Sequence, residues 1–477
     1  MKGYNPEEPI AAIATAIAPS ALAIIRVSGK GCIELLSKVF SRPKALNEAQ
    51  GNTIVYGWIV DPAGKVRVDE VLVSVFRQPK SYTGEEMAEI SCHGGIKPVT
   101  SVFSLLLKNG FRQAERGEYT FRAFVNGKTD LTKAEAVREI IESKTDASRG
   151  LALGRLAGNL SQEIFNIKEL IISTIGAIEV EIEYPEDEEN FSDTFDDSKL
   201  RLAQEKLKAL SESWKSQKLY QDGARVILCG KTNAGKSSLF NALLKEERAI
   251  VSDVEGTTRD WIESWVSFDG IPARLFDTAG LRETDDVVEK RGVEMTRDLT
   301  KDADVIIYLV DGSSITDKNF DNSEDELFIE QVEKTVPVVK VLNKVDKMEL
   351  NHDDNVNYDI SKYDKFVRIS AKTGQGVSAL IQTVKNVLIS ENMTSTEREQ
   401  AGLGSERQKL AVDDALDSVN HALEVAHGTS LDFGEDISLD AVVQDLEDTL
   451  SFLSEITGEV TPEDILGNIF ANFCVGK

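Results

Sequence analysis

The stretch Gly230-Lys231-Thr232-Asn233-Ala234-Gly235-Lys236-Ser237-Ser238 has the residue types and spacing of a phosphate-wrapping loop, Gly-x4-Gly-Lys-Ser. Its glycines let backbone N–H groups curl around a polyphosphate, and Lys236 brings a mobile positive charge to the terminal phosphates. The Ser237 hydroxyl is then placed to ligate Mg²⁺. Asn233, Ala234, Gly235 and Ser238 complete the expected contact set. Downstream, Gly256-Thr257-Thr258-Arg259-Asp260 lies in a polar stretch where a hydroxyl can close the Mg²⁺ coordination once the γ-phosphate draws the loop in. Thr258 is the residue chosen for that ligand. Asp277-Thr278-Ala279-Gly280 offers an acid that supports the metal and a glycine N–H that can approach the γ-phosphate.

The choice of base falls to Asn343-Lys344-Val345-Asp346. A carboxylate at Asp346 accepts both N1–H and N2–H of guanine, whereas adenine offers no such pair and leaves the acid unpaired. Ser370-Ala371-Lys372 supports the base from the other side. In this order the motifs predict GTP over ATP. One position departs from Ras-like GTPases: Leu281 stands where they carry a glutamine that orients the attacking water, and leucine has no polar group to do so. Hydrolysis is then expected to be very slow, or to be rescued by a polar group from elsewhere. The segment from Arg282 to Arg291 is rich in candidates.

Several elements must position these groups. Val226 to Cys229 reads as a strand entering the loop, and Leu239, Phe240, Ala242 and Leu243 as the helix leaving it. Ala273 to Phe276, Val336 to Leu342 and Phe366 to Ile369 read as further strands, giving an α/β P-loop GTPase (Ras-like) domain over residues 222–389. Ahead of it, residues 1–130 mix strands (Ala21 to Val27, Thr53 to Val60, Glu70 to Phe76) with a helix (Val99 to Leu107), as a compact α/β domain would. Arg26 interrupts an apolar strand there, and Glu89 stands just before Ile90-Ser91-Cys92-His93-Gly94-Gly95. A charge so placed needs a partner or a ligand, and on these residues alone a salt bridge is expected for each.

Residues 131–221 and 390–477 are helical in pattern. Ile164, Ile167, Ile171, Ile175, Ile178 and Ile182 recur at spacings of three and four, as do Leu200, Ala203, Leu207, Leu210 and Trp214. Beyond the module, Val412, Leu416, Val419 and Leu423, then Leu439, Val443, Leu446, Leu450 and Leu453, resume the pattern. Two amphipathic stretches flanking one α/β module predict a single helical domain into which that module is inserted. The fold class is therefore multidomain, α/β plus α. Thr461-Pro462-Glu463-Asp464 has the form of a helix start, with a capping hydroxyl and proline at the first helical position. The aromatic residues after it predict a docked C-terminus.

Net charge is −27, from 81 acidic and 54 basic residues. So negative a surface repels a phosphate backbone, which argues against broad nucleic-acid binding by this chain alone; an RNA substrate would need a local basic patch or a basic partner. The runs Glu183 to Glu189 and Asp321 to Glu326 read as solvated linkers and loops. Cys32, Cys92, Cys229 and Cys474 are far apart, so neither a disulfide framework nor a zinc site is indicated. The N-terminus lacks a secretory layout, and no apolar run approaches the ~20 residues that span a bilayer. A cytoplasmic protein is expected.

With these residues in view, the chain resembles the MnmE (TrmE) family of tRNA-modification GTPases. The likeness rests on Gly256 to Asp260, on Asp277-Thr278-Ala279-Gly280-Leu281-Arg282, and on the ending Phe473-Cys474-Val475-Gly476-Lys477. It extends to Ser81 through Gly95 and Gly117 through Leu131, and so over essentially the whole chain. The resemblance implies modification of C5 of the wobble uridine (position 34) of certain tRNAs with a carboxymethylaminomethyl-type group, together with an FAD- and NADH-using partner, MnmG (GidA), in a heterotetramer. It implies a homodimer formed through the N-terminal domain. There a 5-formyl-tetrahydrofolate-like ligand would be held by Arg26, Glu89, Lys128 and the terminal Lys477, which shifts Arg26 and Glu89 from salt bridge to ligand. It implies K⁺ dependence, with Asn233, Ser252, Val254 and Thr257 as ligands and the loop residues Ser252, Asp253, Val254, Glu255, Gly256 and Thr257 on the nucleotide. Glu289 matches the acid that positions water through a bridging water, which answers the problem posed by Leu281. The chain departs from the family's Gly-rich turn with Ala18-Pro19-Ser20-Ala21. The acidic balance suggests that tRNA is met largely through the partner. The competing expectation is a regulatory switch GTPase of ribosome assembly or stress sensing, without chemistry on RNA; the N-terminal motifs and the chain's ending favour the tRNA-modification reading.

Overall fold

A computed structural model describes residues 5, 8–63, 65–183, 196–246, 262–277, 303–314, 323–348, 365–389, 402–427 and 439–476. The chain divides into two compact units. Met1–Arg138, Arg155–Lys208 and Glu406–Lys477 form the first, and Glu139–Gly154 with Ala209–Ser405 the second.

The first unit holds a six-stranded sheet of β1 (Ile10–Ile13), β2 (Leu22–Ser28), β3 (Thr53–Asp61), β4 (Val66–Phe76), β5 (Met87–His93) and β6 (Arg112–Gln113), in the order β3-β4-β5-β2-β1-β6. All pairs are antiparallel except β1 with β6. Successive side chains of a strand point to opposite faces. In β2, Ala23, Ile25 and Val27 are therefore buried beside Ala88, Ile90 and Cys92 of β5, which sends Arg26 and Glu89 to the other face. The helix Ile96–Lys108 covers the buried face with Val99, Val102, Leu105 and Leu106. It begins a turn earlier than the apolar pattern predicts, and β4 begins four residues before Glu70, because pairing with β3 carries the strand past its apolar core.

Helices from both sides of the second unit's sequence meet in the first. Asn159–Glu183 packs on Leu439–Thr457, which packs on Glu406–Ala426. Lys168 donates to Ser454 and pairs with Glu459 at 2.7 Å, Lys206 pairs with Glu163, and Gln204 donates to Asn420. The Arg407 guanidinium grips both Glu135 oxygens and donates to the carbonyls of Glu455 and Ile456, which closes the end of Leu439–Thr457. Ile164, Ile167, Ile171 and Ile178 are buried as the stripe predicts, but Ile182 is 40% exposed. In Leu439–Thr457 the buried face runs through Val442, Leu446, Leu453 and Ile456, with Val443 and Leu450 at its margin.

The last helix, Glu463–Ala471, corrects the expected cap. Pro462 itself takes the cap position, its carbonyl accepting from the N–H groups of Ile465 and Leu466, and no side chain caps the helix. Thr461 stands one residue too early, and its buried hydroxyl has no hydrogen-bond partner among the described residues. The docked terminus is as expected. Phe470 is fully buried and meets Phe121 edge-on at 5.3 Å between ring centres. The chain approaches so closely that a Cβ on Gly117 would lie 2.5 Å from the Phe470 carbonyl oxygen, at a positive φ of 69°. Val475 then bridges to Arg116.

Beneath this lies a buried charge cluster. Arg122, wholly inaccessible, donates to Glu118 and Glu85 and to the Glu8 carbonyl, while Arg112 forks onto Glu118. The helix Glu118–Val125 is thereby tied to β6, to the N-terminal segment and to the loop that carries Thr83, which Ser28 also meets at 2.7 Å.

The second unit holds β7 (Ala224–Gly230), β8 (Ile262–Phe268), β9 (Ile271–Asp277), β10 (Val305–Asp311), β11 (Val338–Asn343) and β12 (Val367–Arg368). Their order is β12-β11-β10-β7-β9-β8, parallel throughout except for the β8–β9 hairpin. Strands buried on both faces need continuous apolar runs, and Val226–Cys229 and Val305–Val310 are such runs.

Burial opposes the ionisation of Glu118, but hydrogen bonds from Arg112, the Glu115 N–H and Arg122 prevail and hold its carboxyl below the usual range. A depressed carboxyl contributes stability in full above its unfolded pKa and loses it as pH falls through the folded value. The stability gap between wild type and Glu118→Gln, read from urea unfolding, should therefore be largest at neutral pH and shrink below about pH 4.

Candidate functional site

The phosphate loop lies at the carboxyl end of β7, where the sheet order sends β9 to one side and β10 to the other. Ligands of open α/β sheets bind at such reversal points. Gly230 leaves the strand at φ 136°, Asn233 turns at φ 64° and Gly235 at φ 97°, after which the helix Lys236–Glu246 begins. Lys236 is almost fully buried, its ammonium donating to the carbonyls of Gly230 and Lys231 at 2.7 and 3.0 Å. Asn233, Ser237 and Ser238 are exposed at the rim.

One buried side chain joins this loop to the rest of the site. The Asn343 carboxamide donates through Nδ2 to the Ala234 carbonyl at 2.8 Å and accepts at Oδ1 from the Ala371 N–H at 3.0 Å. A Cβ on Gly235 would lie 2.2 Å from Asn343 Nδ2, so only glycine admits the amide. Lys344, at φ 63°, pairs with Asp311 at 2.6 Å. Burial opposes ionisation of Asp311, but the Lys344 ammonium and the Ser313 groups hold its carboxyl below the usual range. The Ser370 hydroxyl donates to the exposed Asp346 carboxylate at 2.6 Å and lowers its pKa. Lys372 is exposed beside it, and Val345 is tied through its N–H to the Ile369 carbonyl. Asp277 closes β9 in register with Leu228 of β7.

A second constellation lies in the first unit. Arg26 and Glu89 are register partners on β2 and β5 and form a fork of 3.0 and 2.7 Å onto one carboxylate oxygen. A third Arg26 donor, on Nη1, reaches the Gly476 carbonyl at 3.0 Å, and the rings of Tyr82 and Tyr119 lie 5.5 and 5.6 Å from the guanidinium. The salt bridge expected from sequence is thus present. Lys128 is placed apart, its ammonium on the Pro79 carbonyl.

Comparison with known proteins then decides the family. A model of the MnmE helical domain matches residues 131–474, and a model of the N-terminus of the GTP-binding protein TrmE matches residues 9–128. A tRNA modification GTPase MnmE of Treponema denticola is 50% identical over 477 residues, covering 99% of both chains. Its counterparts in Carboxydothermus hydrogenoformans and Treponema pallidum (strain Nichols) are 41% and 39% identical, each alignment covering 99% of this chain and 100% and 99% of the relative. The chain belongs to the MnmE (TrmE) family.

Of the residues assigned roles from the motifs or from the MnmE resemblance, Ser252, Asp253, Val254, Glu255, Gly256, Thr257, Thr258, Thr278, Ala279, Gly280, Glu289 and Lys477 lie outside the described residues, as does Leu281. Of the others, Ala234, Gly235 and Ala371 meet Asn343 directly and Ser370 meets Asp346, whereas Asp277 ends β9, on the far side of β7 from β11. Sequence reasoning missed Asp311, although an acid ending an apolar strand is the signal that drew attention to Asp277. It also missed Asp325, buried at the start of Ser323–Val332, which accepts from Tyr308 and pairs with Lys231 of the loop. Asn343→Ala strips partners from the Ala234 carbonyl and the Ala371 N–H. Thermal or urea unfolding of the second unit should report a loss of about 1–3 kcal/mol; an unchanged transition would contradict the clamp.

Proposed function

We propose that this chain, a GTPase of the MnmE tRNA-modification family, is a K⁺-stimulated enzyme that acts on C5 of the wobble uridine of certain tRNAs, adding a carboxymethylaminomethyl-type group. It works in the cytoplasm as a homodimer with the FAD-dependent MnmG (GidA) in a heterotetramer. Among the described residues no helix is long and apolar enough to cross a membrane. Residues 1–130 form the dimerising and folate-binding domain, 131–221 and 390–477 the helical domain, and 222–389 the GTPase. The observation that carries the nucleotide reading is the Asn343 bridge, which sets the phosphate loop and the Asp346–Ser370 pair in one frame.

The Lys236 ammonium occupies loop carbonyls that lie where phosphates arrive, and on binding it exchanges them for β- and γ-phosphate oxygens. Asp346, ionised and oriented by Ser370, accepts the two guanine N–H groups, while Ser370, Ala371 and Lys372 border the base. Ser237 on the first helical turn and Thr258 are assigned to Mg²⁺; Asn233, whose exposed amide stands at the rim, with Ser252, Val254 and Thr257, is assigned to K⁺. The two cations supply positive charge against the oxygens that gain negative charge in the transition state. Glu289 holds the attacking water in line through a bridging water, the task that Leu281 cannot perform. Water adds to the γ-phosphorus, the bond to the β-phosphate oxygen breaks, and GDP and phosphate leave.

In the first unit the Arg26 donors and the Glu89 carboxylate fit a folate of the 5-formyl-tetrahydrofolate type, since a pterin offers both acceptors and N–H donors. Lys128 and Lys477 are assigned as its further contacts. A bound folate supplies the one-carbon unit.

Asp346→Asn should shift preference from GTP towards xanthosine triphosphate, measured by competition binding; unchanged preference removes the guanine assignment. Deleting the gene should also convert the wobble nucleoside of the affected tRNAs to unmodified uridine by mass spectrometry, and an unaltered nucleoside profile removes the tRNA assignment.

A further inference from the structure

At the amino edge of the second unit's sheet, opposite the phosphate loop, lies a groove of about 760 Å³. Its charged lining is Lys215, Lys218, Arg225 and Arg274 against Asp222 and Asp304. The whole chain carries 81 acidic and 54 basic residues, and this lining reverses that balance, with four basic residues and two acidic. One of the acids is also engaged, since Asp304 accepts the Arg225 backbone N–H at 2.7 Å.

The cations are built in by the fold. Arg225 and Arg274 are register partners on the parallel strands β7 and β9, so their side chains leave the same face. Trp265 of β8 is the partner of Arg274 on its other side, and the Arg274 guanidinium lies over the Trp265 ring at 5.0 Å. The Lys144 ammonium lies 5.9 Å from the same ring. Lys215 and Lys218 stand three apart on the helix Ser198–Asp222, on neighbouring positions of one face, and both are exposed. Strand pairing and helix period therefore concentrate positive charge in a concave place, where low-dielectric walls strengthen its field.

We propose that this groove binds the phosphodiester backbone of the tRNA substrate. The proposal rests on the tRNA-modification reading and adds where this acidic chain meets its substrate. A chain of net charge −27 gains nothing from long-range attraction to RNA, so contact must be local, and charge complementarity selects a phosphate-bearing polymer for this lining. The contacts are to phosphates and carry no sequence information; they hold the RNA, while selection of the uridine falls elsewhere.

The test uses the full-length protein and the double variant Lys215→Gln/Lys218→Gln, both exposed positions whose replacement leaves the fold intact. Binding of unmodified tRNA is measured by fluorescence anisotropy across a KCl series, with sodium tripolyphosphate as a small-anion probe, beside GTP turnover without tRNA. The variant should bind tRNA about tenfold more weakly near 0.1 M KCl, with a salt slope smaller by roughly one to two, and with turnover unchanged. Equal affinity and slope in wild type and variant would overturn the proposal. So would wild type that binds tripolyphosphate in a Lys215- and Lys218-dependent way but not tRNA. Complementation of a deletion strain separates the two readings. If the wild-type chain restores the modified uridine while tRNA binding ignores the two lysines, the groove assignment falls and the tRNA function stands; if wild type fails to restore it, both fall.

Discussion

The nucleotide site depends on a single buried carboxamide. Asn343 ends β11, yet its two polar atoms reach a carbonyl of the phosphate loop after β7 and an N–H of the segment after β12. Those segments are separated by more than a hundred residues, and nothing in their own local structure places them together. The amide does so because a buried carboxamide must find both a donor and an acceptor, and these are the ones in reach. Gly235 follows from it, since any side chain there would occupy the position of the amide. The loop also turns left-handed at Asn233, and its own carbonyls at Gly230 and Lys231 receive the buried Lys236 ammonium.

The first unit depends on a comparable necessity. Arg26 sits mid-strand, half-buried, and its charge needs partners. Glu89 supplies one from the neighbouring strand and the Gly476 carbonyl another from the far end of the chain. The docked aromatics of the last helix make that second partner possible, with Phe470 on Phe121 and Val475 bridged to Arg116. A salt bridge and a ligand site are thus compatible readings of the same residues: a guanidinium held by a carboxylate and a terminal carbonyl is already oriented towards whatever approaches that face.

Much of this was legible in the sequence. The turn and helix of the phosphate loop and the strands before it and before Asn343 were recoverable because each is a local pattern, an apolar run ending in turn or polar residues. The two helical stretches were recoverable from period alone, and the Arg26–Glu89 pair from the cost of a charge in an apolar strand. The partners were not. Asp311 for Lys344, Asp325 for Lys231 and Gly476 for Arg26 are fixed by strand order and chain return, which periodicity does not encode. The groove escaped for the same reason: Arg225 and Arg274 are far apart in sequence and become neighbours only through the β7–β9 register. The cap at Thr461 failed on a local competition, proline taking the position that the hydroxyl was expected to hold.

With Leu281 in place of a water-orienting glutamine, the proposed hydrolysis relies on a cation at Asn233 to complete the site. Asn233 is exposed next to Ala234, whose carbonyl Asn343 holds, and a cation there would face bound phosphates. The most direct measurement is GTP turnover by the purified full-length protein in KCl and in NaCl at matched ionic strength. K⁺ should stimulate turnover strongly. Equal and very slow rates in the two salts would contradict it, leaving Leu281 without a substitute and the chain a switch that waits for an outside activator.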